Sequence, residues 1–449
     1  MRPGLTILLA MTLISATAGA ARPQHPAADT IYFNGSVEVL DAAFTRAHAL
    51  AVRNGRILAV GHAWQVFRYS GRHTRYVNLH GRALLPGFVD SHSHLFNDAD
   101  NVGLTLAEAQ ALGLENGITT LGDLFVTPAH LAEMTTFQTS GELRIRTSLY
   151  LAYADNCGNI LGTWYLDHPP ARDPGAMLRI PGIKITTDGG TCGPVAITFP
   201  WWSPPLVPPF GNLWFDQPTL DAAVAEADAA GYQVAIHAMG DRARDVAMTA
   251  IGNALGPTPN VLRHRIEHDL FMRPDQIEYY AHTGIVPTLL TSQTCNQNLN
   301  PLEAHFPEYV QPWFRPLPDM LAAGLPVAWA SDWPYRPIDT LRFHLYNLVT
   351  RKQVDEDGVT VCEPSAFYAA GRVTTKQALR MMTLRGAYAL HMERVVGSLE
   401  PGKFADLIVL SEDPLAVGPD ALKDLVVLAT VVGGEPQFCA PGAEELCEE

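Results

Sequence analysis

A histidine pair one residue apart, His92 and His94, closes the apolar run Leu84–Ser91. Side chains on a strand alternate faces, so the two imidazoles project to one side and can grip one metal ion. An HxH pair is common by chance, and its bland reading is a polar strand end. Further candidates stand at the ends of later apolar runs: His237, His268 and Asp332, with Lys184 inside Gly182–Asp188. Neutral imidazoles and carboxylates are good zinc ligands, and a catalytic site leaves one position open for water. Bound Zn²⁺ lowers the pKa of that water toward 7 and polarises a scissile carbonyl. An aspartate beside the water can take its proton and return it to the leaving group. Asp332 and His268 are therefore the catalytic candidates. A lysine between isoleucines is costly to bury unless its charge is removed or paired. Facing a metal, Lys184 could be carbamylated to a bridging carboxylate. Otherwise it is a neutral or paired amine, or an outward side chain that snorkels. His264 lies four residues before His268, on the same face of a regular strand but deeper, and reads as structural.

These residues need a scaffold that brings strand ends together. Eight apolar runs follow one another: Leu84–Ser91, Gly117–Leu124, Leu143–Tyr153, Gly182–Thr187, Tyr232–His237, Val261–His268, Gly284–Thr291 and Leu325–Ser331. Helical stretches intervene, among them Thr105–Glu115, Gln217–Ala230, Asp241–Leu255 and Pro316–Ala323. Eight such units predict an α/β fold with a (β/α)8 barrel over residues 86–391. A long helix is expected over Thr374–His391. Before the barrel, residues 22–85 read as short strands, with Asn54-Gly55 as a hairpin turn. After it, residues 392–449 return to strands. Both ends are expected to form one small composite β-sandwich domain. Three long segments follow predicted strands: Asp188–Asp216, Ser292–Arg315 and Trp333–Glu363. They would lie at the C-terminal face of the barrel, where such barrels place their active sites. Trp201, Trp202, Trp214, Trp313 and Trp333 either line a substrate pocket there or pack loops against the rim.

Composition excludes other classes. A net charge of -15 without a Lys/Arg cluster argues against nucleic acid as a partner. There is no G-x-S-x-G elbow and no Walker A segment. Residues 1–21 read as a secretory signal peptide: Arg2, the apolar run Leu5–Ile14, and the small-x-small site Ala18-Gly19-Ala20. No integral membrane segment is expected after its cleavage. Six cysteines in the exported part are compatible with disulfides. Cys439 and Cys447 can close a C-terminal loop, and Cys192 reads as a disulfide partner rather than a nucleophile. Arg242 and Arg265 could hold a substrate carboxylate, but packing or salt bridging is the preferred reading.

The stretch Leu85-Pro86-Gly87-Phe88-Val89-Asp90-Ser91-His92-Ser93-His94 resembles the opening motif of the amidohydrolase superfamily. Gly117-Ile118-Thr119-Thr120, His237–Ala243, Arg265-Ile266-Glu267-His268 and Ser331-Asp332 resemble the branch that contains N-substituted formamide deformylases. Gly397–Leu410 is similar to the returning part of that family's composite β domain. The resemblance runs in order from about Thr30 to Gly434. It implies a metal-dependent hydrolase acting on amide or other C–N bonds. By position, His92 and His94 would hold the more buried ion. Lys184, as N6-carboxylysine, would bridge to a second ion held by His237 and His268. Asp332 would bind metal and shuttle the proton. One or two Zn²⁺ ions, or other divalent metals, are compatible. Relatives in this branch carry a long insertion after the HxH strand, whereas only Leu95–Leu104 intervenes here. The pocket is then expected from the Trp-rich loop and from 294–315. The resulting expectation is a periplasmic or secreted enzyme, monomeric or oligomeric. It would cleave an amide-like C–N bond of a small-molecule substrate through a metal-activated hydroxide. The rival readings are an ester, lactone or dipeptide-like substrate at the same site, or a non-catalytic extracellular binding protein.

Overall fold

The computed structural model describes residues 25–202, 208–291, 295, 304–334, 341–355 and 357–448. The expected signal peptide lies outside the described residues. The chain begins with β1 (Thr30–Glu38), β2 (Arg46–Arg53), β3 (Arg56–Gly61), β4 (Arg75–Asn78) and β5 (Ala83–Pro86). The turn between β2 and β3 places Asn54 and Gly55 at positive φ, which is why this dipeptide signals a hairpin.

Eight parallel strands follow: β6 (Phe88–Ser93), β7 (Ile118–Val126), β8 (Arg146–Ala152), β9 (Leu178–Thr186), β10 (Gln233–His237), β11 (Arg265–His268), β12 (Val286–Leu290) and β13 (Ala328–Ala330). They pair in sequence order, as eight βα units must when each helix packs outside the strand pair it connects. The seam between the first and last strands is closed just beyond β13. Asp332 N–H donates to the His92 carbonyl at 3.0 Å, and His94 N–H to the Trp333 carbonyl at 2.8 Å. The Ser91 hydroxyl donates to the Trp329 carbonyl at 2.5 Å. Helix starts carry caps: the Thr105 side chain accepts from Glu108 N–H, and Asp216 accepts from Thr219 N–H.

Two expectations needed revision. The segment after β13 is not an irregular loop throughout. It contains the helix Leu341–Thr350 and the short hairpin β14 (Gln353–Val354) with β15 (Val361–Cys362). Phe343, Leu345, Tyr346, Leu348 and Val349 of this helix are buried in the main core, so its apolar spacing was the missed sign. The expected helix over Thr374–His391 is broken into Thr375–Arg380, a π turn at Met381–Arg385, and Gly386–Ala389. Gly386 closes on the wall of β6, where a Cβ would stand 2.6 Å from the Val89 carbonyl oxygen.

The chain then returns as β16 (Leu407–Leu410), β17 (Val427–Val432) and β18 (Glu435–Cys439). β16 pairs antiparallel with β5, so strands from both chain ends hydrogen-bond as one eight-stranded sheet. Its apolar face includes Tyr32, Leu50, Leu84, Leu407 and Val431. Arg146 on β8 ties this sheet to the barrel through a buried ion pair with Asp406. All six cysteines pair: Cys157–Cys192, Cys295–Cys362 and the expected Cys439–Cys447. Among the described residues no helix is long and apolar enough to cross a membrane.

Candidate active site

The strand ends deliver His92, His94, Lys184, His237, His268 and Asp332 to one end of the barrel. His92 Nε2 lies 3.4 Å from His94 Nε2 and 3.4 Å from Asp332 Oδ1. His94 Nε2 lies 3.3 Å from the same Asp332 oxygen. Donors 2.0–2.1 Å from a tetrahedral ion are separated by about 3.4 Å, so this tripod fits one Zn²⁺-sized ion with a vertex open. His268 Nδ1 is a buried nitrogen without a hydrogen-bond partner among the described residues, 4.0 Å from Asp332 Oδ2. His92, His268 and Asp332 also form a group whose ligand atoms are close enough to share one ion. The donor set is thus suited to a divalent cation, with His92 and Asp332 common to both arrangements.

Lys184 faces inward, as its ligand reading requires. Its Nζ stands 3.4 Å from His92 Nε2. Burial pulls the amine down to about 8, against Glu267 and Asp332, which raise it. His237 sits beside His268 with ring centroids 4.5 Å apart. Its Nε2 is engaged by the loop after β9, at 2.9 Å from the Gly189 carbonyl and 3.3 Å from Asp188 Oδ1. Any metal bond from Nε2 of His237 would replace those contacts.

The protonation states also suit a cation. Burial, reinforced by the Lys184 charge, lowers His92 to about 3. Burial and the neighbouring His237 hold His268 well below the ordinary imidazole range. Burial alone would raise the Asp332 carboxyl, but His268, His94 and His92 overrule it and hold it well below its usual value. The result near neutral pH is uncharged His92 and His268 around a carboxylate, the deprotonated ligand state that metal binding needs.

One residue that the sequence reading left aside organises the site. Glu267 is fully buried, and its Oε2 lies 2.7 Å from His92 Nδ1. Arg265 in turn holds Glu267 through Nε at 2.5 Å and Nη2 at 2.7 Å. A carboxylate on the far nitrogen fixes the tautomer and orientation of a ligand histidine, leaving Nε2 to face the metal. Arg265 thus takes the salt-bridge role rather than a substrate-binding one. Arg242 is likewise structural, donating to the Phe210 and Gly211 carbonyls. A visible sign of the first arrangement was Arg-x-Glu one residue before His268: two charges on one strand face can be buried only as a pair.

Asp90 and Asp188 were missed for the same reason, since each acts through backbone groups. Asp90 accepts from the Ser331 N–H at 3.0 Å and from its hydroxyl, holding the turn that presents Asp332. Asp188 accepts from the N–H groups of Ala196, Met239 and Gly240, pinning the loop after β9 across the end of β10.

Strand alternation misplaced His264. It faces the outer helix layer, with Nε2 2.9 Å from Asp228 and Nδ1 accepting from Val234 N–H. Arg265 and Glu267 take the inward face, and His268 escapes alternation because its φ is +81°. Asp332 has φ +57°. Left-handed backbone at a non-glycine residue costs of order 1–3 kcal/mol and persists where surrounding contacts enforce it.

The five tryptophans do not converge. Trp201 and Trp313 join Phe199, Phe271 and Phe306 in one apolar cluster, where Trp201 stacks on His305 at 5.5 Å. Trp214 packs over Gly158 and donates its Nε1–H to the Asp188 carbonyl. Trp202 is 54% exposed. Trp333 approaches the site by its backbone, at the hydrogen bond from His94.

Known proteins share this plan. Over 237 residues the chain is 29% identical to the N-substituted formamide deformylase of Arthrobacter pascens, covering 52% of this chain and 41% of that protein. It is 26% identical to the imidazolonepropionase of Symbiobacterium thermophilum over 402 residues, covering 83% of this chain and 85% of that one. The matches to the deformylase and to a Bacillus subtilis putative amidohydrolase each span under half of the relative's length. Among solved structures, an uncharacterized metal-dependent hydrolase from Pyrococcus horikoshii superposes with a TM-score of 0.73 at 18% identity, over 87% of this chain and 99% of that one. This last likeness is one of fold. The family model described as "Amidohydrolase family" matches residues 103–438, which carry Lys184, His237 and His268 on their barrel strands and Asp332 just beyond the last, and the chain belongs to that family.

Proposed function

We propose that this chain is an exported metal-dependent hydrolase that cleaves an amide-like C–N bond of a small organic substrate. The observation that carries the reading is the tripod of His92 Nε2, His94 Nε2 and Asp332 Oδ1, with mutual distances of 3.3–3.4 Å. Zn²⁺ held there would supply Lewis-acid polarisation of the carbonyl and an acidified water. The protein's own part is to keep the imidazoles neutral, to orient His92 through Glu267, and to present Asp332 at the reacting centre. Asp332 accepts the proton of the attacking water and delivers it to the leaving nitrogen. The products are a carboxylic acid and an amine. N6-carboxylation of Lys184 would add a second anionic ligand and favour a second ion with His237 and His268. The amine held near 8 supports this, because carbon dioxide reacts with the neutral form.

The names of two relatives point to formamides and to a cyclic imidazolone amide as first substrates to try. Three disulfides that use every cysteine support an oxidising compartment, periplasmic or extracellular. The test is metal analysis of the purified protein followed by assays on formamides, acyl-amides, cyclic amides, esters and dipeptides. Chelation should abolish hydrolysis, and Zn²⁺ should restore it. A metal-free preparation that hydrolyses its substrate as fast as the loaded one refutes the metalloenzyme reading. Hydrolysis confined to esters refutes the C–N assignment, and hydrolysis confined to dipeptides makes the bond cleaved a peptide bond, against the non-peptide reading.

A further inference from the structure

Arg315 lies between the 3-10 turn Glu308–Trp313 and the helix Leu317–Ala322. It is only 2% exposed. Its Nε and Nη1 are enclosed and meet no hydrogen-bond acceptor among the described residues. Among the described residues no carboxylate forms an ion pair with it. An enclosed guanidinium without a counter-charge is among the costlier things a fold can keep.

Arg315 is one of the residues lining a cavity of about 450 Å³, within the size range of small-molecule sites. Phe314, Phe367 and Tyr368 supply aromatic walls, and Gln311 and Gly371 are among the other lining residues. A second guanidinium stands behind Gly371. Arg351 Nε donates to the Gly371 carbonyl at 2.8 Å, and its guanidinium lies 5.1 Å from the Tyr368 ring centroid. Burial holds the Arg351 pKa below its ordinary value, and the charge of Arg315 acts in the same direction. Exposed Glu308 and Asp319 also line the cavity and disfavour multiply charged anions. None of the metal-ligand candidates lines it.

We propose that this cavity is a binding site, separate from the metal site, for an organic monocarboxylate with an aromatic or apolar body. Arg315 would take the carboxylate, and the rings of Phe314, Phe367 and Tyr368 would take the body. The site abuts the segment that leaves His268: Arg315 N–H donates to the Leu270 carbonyl at 3.0 Å, and Phe314 bridges Phe271.

The test is calorimetric titration of the full chain with phenylacetate, its neutral amide and inorganic phosphate, for wild type and Arg315→Met. Chelator-treated protein is titrated in parallel to remove carboxylate binding at a metal. Saturable 1:1 binding of phenylacetate is expected with and without chelator. Affinity should fall more than tenfold in Arg315→Met, and more than tenfold for the amide. Without ligand, Arg315→Met should melt no lower than wild type, because an uncompensated buried charge is replaced by a side chain of similar length. Ligand-free melting well below wild type would make Arg315 a structural residue and overturn the proposal. Equal phenylacetate binding by the variant, equal binding of the amide, loss of binding on chelation, or phosphate binding tighter than phenylacetate would each overturn it too.

Discussion

Glu267→Gln isolates what the buried Arg265–Glu267–His92 chain contributes. Glutamine keeps the length and an acceptor oxygen, but it removes the charge that faces both Arg265 and His92. Arg265 and Glu267 are fully buried, and the three contacts between Glu267 and its partners span 2.5–2.7 Å. Burial opposes the Glu267 charge, yet Arg265 and His92 hold its pKa well below the carboxylate range. Breaking a buried pair by removing one charge costs about 3–5 kcal/mol. Since glutamine keeps part of the hydrogen bonding, about 3 kcal/mol is expected. In a chain of this size that corresponds to a melting temperature lower by about 3–6 °C. The second effect is on the ion. Loss of the carboxylate behind a ligand histidine weakens metal binding about 10–100-fold. Competition against a chromophoric chelator reads this separately from melting. A variant destabilised elsewhere, Arg146→Met, controls for stability loss alone. If Glu267→Gln binds Zn²⁺ as tightly as wild type while Arg146→Met does too, Glu267 does not orient His92 as a ligand.

Three further perturbations test other parts of the structure. Arg146 meets Asp406 at 2.7 and 3.2 Å, while Gly433 N–H donates to the same carboxylate. Arg146→Met should therefore cost about 3–5 kcal/mol in urea unfolding, and Arg146→Met with Asp406→Leu should recover part of it. His391 is lowered to about 4 by burial and by the Arg263 charge, and its Nε2 lies 3.0 Å from the Leu262 carbonyl oxygen. Its folded form favours the neutral ring, so its contribution is complete above about 6.5 and is lost as pH falls toward 4, by at most about 3 kcal/mol. His391→Asn, which tolerates the positive φ, should flatten the stability difference across that window, and identical wild-type and variant profiles would contradict this. Gly240 opens the helix Asp241–Leu255, and a Cβ there would collide with the Ala196 carbonyl. Gly240→Ala should cost about 1–3 kcal/mol and loosen the loop over His237, measured as faster amide exchange at Ala196 and Met239.

Much of the site was legible because its chemistry is local. An HxH at the end of an apolar run, a lysine between isoleucines, and His or Asp at later run ends are strand-end patterns, and the barrel returns them to one place. The eight runs were visible for the same reason, since apolar strands covered by helices cannot hide their composition. Secondary contacts were not legible. Glu267, Asp90 and Asp188 act on partners that are near only after the barrel closes, 175 residues apart for Glu267 and His92 and 241 for Asp90 and Ser331. The helix Leu341–Thr350 was hidden behind the general expectation of a loop after the last strand.

By itself, then, the amino-acid order determined which residue types stand at which strand ends, because alternation and apolar runs are properties of neighbours along the chain. Tertiary structure decided which donors stand close enough to share an ion and which histidine faces where. His264 and His268 have the same spacing that alternation would place on one face, yet a left-handed backbone at His268 separates them. The tryptophans were divided in the same way between an apolar cluster, a loop contact and solvent. Those outcomes depend on through-space packing, charge pairing and backbone strain, which act between segments that the chain order leaves far apart.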